Sequence, residues 1–103
     1  MYVASVLLRV RPSKRPETLS AIRQLMRSMR AWPQCAACRF LAAADDDNSL
    51  LLISEWKSRD ALDQLLTSQE FQVLRGMRML LQQDPQMIID EVGSRRMVLL
   101  DGP

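Results

Sequence analysis

The chain has 103 residues, 48% of them apolar, with 14 lysines and arginines against 12 aspartates and glutamates and a formal charge of +2. This describes one domain with a core of its own, too weakly charged to attract nucleic acid or a membrane surface through net charge alone. It contains no histidine, which excludes Ser-His-Asp and Cys-His nucleophile systems, HExxH zinc sites and a proximal haem histidine.

The run from Tyr2 to Arg11 alternates as a strand, with Tyr2, Ala4, Val6, Leu8 and Val10 on one face and Val3, Ser5, Leu7 and Arg9 on the other. It carries no basic leader, and Arg9 and Arg11 interrupt any apolar signal segment, so residence in the cytoplasm is expected. Pro12-Ser13 breaks the strand and Pro16 suits a first helical turn, where its missing N–H is harmless. Leu19, Ile22, Leu25, Met26 and Met29 then recur at helical spacing, with Arg23, Arg27 and Arg30 on the polar side. Trp32-Pro33 ends this helix.

Cys35 to Ala43 reads as a strand, Asp45-Asp46-Asp47-Asn48 as a turn, and Leu50 to Lys57 as the returning strand of a hairpin. Leu50, Leu52 and Trp56 share one parity, Leu51 and Ile53 the other, so this strand is apolar on both faces. The run from Leu50 to Ile53 falls far short of the roughly 20 residues a membrane span needs. Ser58 is an N-cap for a helix from Arg59 to about Thr67, and Ser68 for another from Gln69 to Gln83, closed by Asp84-Pro85. Leu62, Leu65 and Leu66, then Phe71, Leu74, Met77 and Leu81, supply their buried sides, and Gly76 inside the second suggests close packing. Met87 to Val92 is the last strand, and Gly93-Ser94 bends the chain into an extended piece from Arg95 to Leu100.

The order is strand, helix, strand, strand, helix pair, strand: an α+β, ferredoxin-like βαββαβ plan in one domain, residues 1–103, with its core over 2–92 and a C-terminal extension over 93–103. Helices cover one face of a four-stranded antiparallel sheet. The opposite face carries Val3, Leu7, Leu51 and Ile53, an apolar patch too large to leave in water. The expected partner is a second copy, sheet against sheet, closing a dimeric α+β barrel of eight strands.

Several segments in this order match a known pattern. Val10-Arg11-Pro12-Ser13-Lys14 after the first strand, Trp32-Pro33-Gln34-Cys35, Ser54-Glu55-Trp56 and Ser68-Gln69-Glu70-Phe71 resemble the antibiotic biosynthesis monooxygenase (ABM) family of dimeric α+β barrels, from Tyr2 to Val92. The resemblance implies a cofactor-independent oxygenase, in which a bound phenolate is itself the reductant of oxygen and the protein supplies positioning and a dry pocket. It implies no metal and no other cofactor, with a small phenolic, anthrone-like or quinol-like compound as substrate. Trp56 matches the family's tryptophan at the end of the third strand and is the best catalytic candidate. The pocket expected around it is lined by Val6, Leu8, Leu52, Leu62, Leu65 and Phe71. Haem-degrading members carry an asparagine and a histidine where this chain has Val6 and Leu65, so that activity is not expected. The same losses keep a second reading open, a non-catalytic ligand-binding or regulatory dimer. In a third, the Arg95–Leu100 tail adds a strand to a neighbouring chain.

Other features have bland readings. Trp56 also suits a core plug at the sheet end. Cys35-Ala36-Ala37-Cys38 has CxxC spacing, but three strand steps of about 3.3 Å place the Cα atoms roughly 10 Å apart, beyond the limit of about 7 Å for a disulfide, with side chains on opposite faces. Two cysteines also cannot complete a zinc site, and two are no disulfide framework, which agrees with a reducing compartment. The row of Lys14, Arg15, Arg23, Arg27 and Arg30 lacks the interleaved aromatics of a nucleic-acid surface and reads as a solvated helix face. Asp45, Asp46 and Asp47 lack the ligand spacing of a calcium loop. Arg9 and Glu55 lie on the face opposite Trp56 and are expected to pair within the barrel or across the dimer.

Overall fold

The computed structural model describes residues 1–100. In chain order the elements are β1 (Tyr2–Arg9), α1 (Arg15–Arg30), β2 (Cys35–Ala43), β3 (Asp46–Trp56), α2 (Arg59–Leu66), α3 (Gln69–Gly76) and β4 (Gln86–Glu91), with single 3-10 turns at Pro12–Lys14 and Met77–Leu80. The strands form one sheet in the order β2-β3-β1-β4, and every pairing is antiparallel. This is the ferredoxin-like arrangement that the segment order predicts.

Period-2 alternation sorts the sheet into two faces. Ala4, Val6 and Leu8 of β1 and Leu50, Leu52, Ser54 and Trp56 of β3 are buried, directly across from one another in register, as in Val6 opposite Leu52 and Tyr2 opposite Trp56. Against them α1 lays its stripe of Ile22, Leu25, Met26 and Met29, α2 contributes Leu62 and Leu65, and α3 contributes Leu74. The N-terminus of α1 is eased by Pro16. Ser58 and Ser68 accept from the backbone N–H groups of Ala61 and Phe71, each at 3.2 Å, and so start α2 and α3. Changing either serine to alanine is expected to lower unfolding stability by about 1 kcal/mol, measurable by urea denaturation.

The other face shows Leu7 39% exposed, Leu41 48% and Ile88 49%, around half-buried Val3, Leu51 and Ile53. Leu41, Leu51 and Leu7 form a row across three strands. Among the described residues no helix is long and apolar enough to cross a membrane.

Several local expectations are corrected. The hairpin turn is at Ala44-Asp45, and Asp46 to Asn48 already belong to β3. The pairing jumps from Ala42 opposite Leu50 to Ala43 opposite Asp46, leaving Asp47 to Ser49 as a bulge. The backbone N–H of Asn48 donates to the Asp46 carboxylate at 3.0 Å, the local bond that gives this segment its turn-like composition.

Helix α3 stops at Gly76 rather than Gln83. Beyond a 3-10 turn, Leu81 is extended and bridges Val10. Arg11 N donates to Leu80 O at 3.1 Å and Gln82 N to Arg9 O at 2.7 Å, so pairing with the end of β1 replaces the helical bonds. An added Cβ on Gly76 meets nothing within 4 Å, so close packing is not its reason. Its φ of −67° and ψ of −20° are helical, and Gly76→Ala is expected to raise stability by about 0.5–1 kcal/mol in the same denaturation assay.

Cys35 and Cys38 share the core-facing side instead of opposing one another. The register shift between Cys35 and Ala37 puts Cys35 across from Trp56 and Cys38 across from Ser54, because one bulged residue reverses strand parity. Both thiols are free. Burial pushes the Cys38 thiol up to about 11 and raises Cys35 as well, which is opposite to the shift of a reactive thiolate.

Within one chain Arg9 does not reach Glu55, which lies at the other end of β1. Glu55 pairs instead with Arg95 at 2.6 Å, pinning the start of the tail to the outer sheet face. The tail forms no strand over Arg95–Leu100. Its Met97, Val98, Leu99 and Leu100 are 63–96% exposed.

Candidate functional site

The last residue of β3, Trp56, is 0% exposed and faces the helices. Its indole Nε1 donates to Ser54 Oγ at 2.8 Å, two residues back on the same face, so a buried polar atom is satisfied within the strand. Trp32, just beyond the last turn of α1, meets the Trp56 ring edge-on, with centroids 5.5 Å apart and planes at 80°. Two indoles in T-shaped contact make a rigid aromatic corner where sheet and helices join.

The corner is tied to α3 by a carboxylate. Trp32 Nε1 donates to Glu70 Oε1 at 3.1 Å, and Ser28 Oγ donates to the same oxygen at 2.5 Å. Ser68 places Glu70 in the first turn of α3, where the unpaired amides of the helix favour negative charge. The Ser28 hydroxyl bond, joined by backbone and Trp32 donors, holds the Glu70 carboxyl below the usual carboxylate range against an opposing effect of burial. A depressed folded-state value means stability that is present above the unfolded value of about 4.5 and lost as pH falls through the folded one. Urea denaturation of the native chain between pH 6 and 3 is expected to show this acid loss, and Glu70→Gln to flatten it.

Six of the seven residues expected at the pocket lie in the buried core and Phe71 packs against it, but the register sets Leu8 opposite Leu50, six residues along β3 from Trp56. Val6, Leu8, Leu52, Trp56, Leu62 and Leu65 are each at most 4% exposed and belong to one continuous core. Phe71 packs partly buried at its rim, under the Arg75 guanidinium, 5.9 Å from the ring centre. Of the seven, Leu62 also walls an open cavity of about 370 Å³, with Tyr2, Arg59, Asp63, Ile89 and Glu91. A second opening, a groove of about 300 Å³ between α1 and α3, exposes Glu70. Among the described residues no group of three or more Cys, Asp or Glu side chains is arranged to hold a metal ion.

Trp32, Ser28 and Glu70 are the site residues that sequence reasoning missed. The available signal was an acidic side chain two residues after an N-cap serine, but its partners lie 42 and 38 residues away in the chain, and no local pattern joins them.

A family model described as antibiotic biosynthesis monooxygenase matches residues 1–76. No curated protein matches the chain. Among solved structures, one described as an antibiotic biosynthesis monooxygenase is 21% identical, covers 91% of this chain and 100% of its own, and superposes with a TM-score of 0.81. Rv0793 from Mycobacterium tuberculosis is 21% identical over 92% of this chain and 98% of its own, with a TM-score of 0.80. A variant of SnoaB from Streptomyces nogalater, described as a cofactor-independent oxygenase, is 17% identical over 91% and 94%, with a TM-score of 0.77. At these identities the solved structures establish a shared fold.

Proposed function

The chain belongs to the antibiotic biosynthesis monooxygenase family, and we propose that it is a cofactor-independent monooxygenase for a small phenolic, anthrone-like or quinol-like substrate, acting in the cytoplasm as a homodimer. The observation that carries this reading is the indole corner of Trp56 and Trp32 in an apolar interior, a wall suited to a flat aromatic ring. SnoaB, described as a cofactor-independent oxygenase, offers the chemistry.

The substrate supplies the electrons. An anthrone loses its proton to give the phenolate-like anion, which passes one electron to oxygen. The resulting carbon radical and superoxide combine into a peroxide anion, which takes the proton back, and loss of water leaves a carbonyl. One oxygen atom enters the product and the other leaves as water, so no external reductant is required. The protein contributes a desolvated surface on which the anion is a stronger reductant than in water. Trp56 is the catalytic candidate, with Val6, Leu8, Leu52, Leu62, Leu65 and Phe71 as the apolar wall that must part to admit the ring.

The second reading, a ligand-binding or regulatory dimer, is favoured by one observation. Val6 and Leu65 are 4% and 0% exposed in this wall and offer no proton acceptor to a bound phenol. Oxygen uptake by chelator-treated protein over a panel of anthrones, hydroquinones and catechols separates the two. The oxygenase reading predicts uptake well above the uncatalysed rate, lowered about tenfold in kcat/KM by Trp56→Phe. Saturable binding without uptake supports the second reading, and uptake only after iron or flavin is added overturns the mechanism.

A further inference from the structure

The filled core around Trp56 leaves open where a ligand first binds, and the α1–α3 groove answers that. Gln24, Leu25 and Ser28 recur along one side of α1 and face Gln69, Glu70 and Val73 of α3 across a space of about 300 Å³, the lower end of the range for small-molecule sites. Leu25 belongs to the core as well as to the groove, so its floor is continuous with the interior. Among the described residues, Glu70 is the only ionisable side chain on the wall. Its Oε1 accepts from Ser28 and Trp32, which fixes the carboxylate on the groove wall.

We propose that this groove is a binding site for a small planar phenol, its hydroxyl donating to Glu70 and its ring lying on Leu25 and Val73. The ligand class rests on the oxygenase reading; the site itself rests on the groove. A carboxylate wall repels anions and rewards a hydrogen-bond donor, and the apolar strip rewards a flat ring. Because Trp32 shares the Glu70 oxygen and stands edge-on to Trp56, a phenol held here is one indole away from the catalytic candidate.

Calorimetric titration with 2-naphthol tests the site, with 2-methoxynaphthalene as the probe that has the ring but no donor. The native chain is expected to bind 2-naphthol at one site and the ether at least tenfold more weakly. Val73→Trp fills the groove from a side chain that is 43% exposed, so far-UV circular dichroism should stay native while 2-naphthol affinity falls at least tenfold. Glu70→Gln should erase the preference for the phenol over its ether. Native-like affinity in both variants overturns the proposal. Oxygen uptake, measured in parallel, keeps the two claims apart. Binding abolished by Val73→Trp in a protein that oxidises no phenol retains the groove and removes the oxygenase; uptake and binding that both survive Val73→Trp retain the oxygenase and remove the groove.

Discussion

Replacing Leu51 by aspartate is expected to turn a dimer into a folded monomer. Leu51 lies in the middle of the outer sheet face, between Leu41 and Leu7 in register, and points away from the core that holds β3 to the helices. In a single chain the new carboxylate stands in water and changes little. In a sheet-to-sheet dimer the two-fold axis doubles every substitution, so two carboxylates must be desolvated against leucine and isoleucine. A weakening of at least 100-fold, about 3 kcal/mol, is the expected scale. Sedimentation velocity at micromolar concentration should then give the single-chain mass, with an unchanged far-UV spectrum. An undiminished dimer would show that these chains associate through some other surface.

Trp56→Ala is expected to be the most destabilising single substitution in the protein. The indole is the largest of the fully buried side chains; its removal opens a cavity, breaks the edge-on contact with Trp32 and leaves the Ser54 hydroxyl without its indole N–H donor. Large-to-small changes of this kind cost about 3–5 kcal/mol, against a total stability of about 5–15 kcal/mol for a domain of ordinary size. Thermal unfolding should drop by on the order of 15 °C or more. Trp56→Phe keeps most of the volume and should lose less than half as much stability. A loss under 1 kcal/mol for the alanine variant would mean that the corner is not a structural keystone.

The architecture was legible because alternation and helical spacing are local signals. Val6, Leu8, Leu52 and Trp56 declare their common face through parity alone, and Ser58 and Ser68 announce their helices through hydroxyls that satisfy free N–H groups. The failures share one cause, a long-range bond or a bulge that outweighs a local preference. Leu81 fits a continuing helical stripe, yet its backbone is more useful beside Val10, closing the end of β1. Cys35 and Cys38 fit opposite faces until one extra residue between them reverses the count. Arg9 and Glu55 share a face but not an end, and face alone cannot distinguish the two.

The candidate site was legible in half. Its apolar wall follows from the sheet parity, and Trp56 follows from the family resemblance. The Glu70 link to Trp32 and Ser28 depends on how α3 is laid against α1, a packing angle that neither helix encodes by itself. The tail shows the same limit: an extended piece from Arg95 to Leu100 was expected, but its anchor, Arg95 on Glu55, needed the fold.

Oxygen-18 labelling follows both atoms of dioxygen to their products. Chelator-treated protein supplied with an anthrone under oxygen-18 gas should yield a quinone carrying one heavy oxygen atom, with the other recovered in water, and without added metal, flavin or reductant. A product whose new oxygen is unlabelled, or one that forms only when a cofactor is restored, would contradict the account.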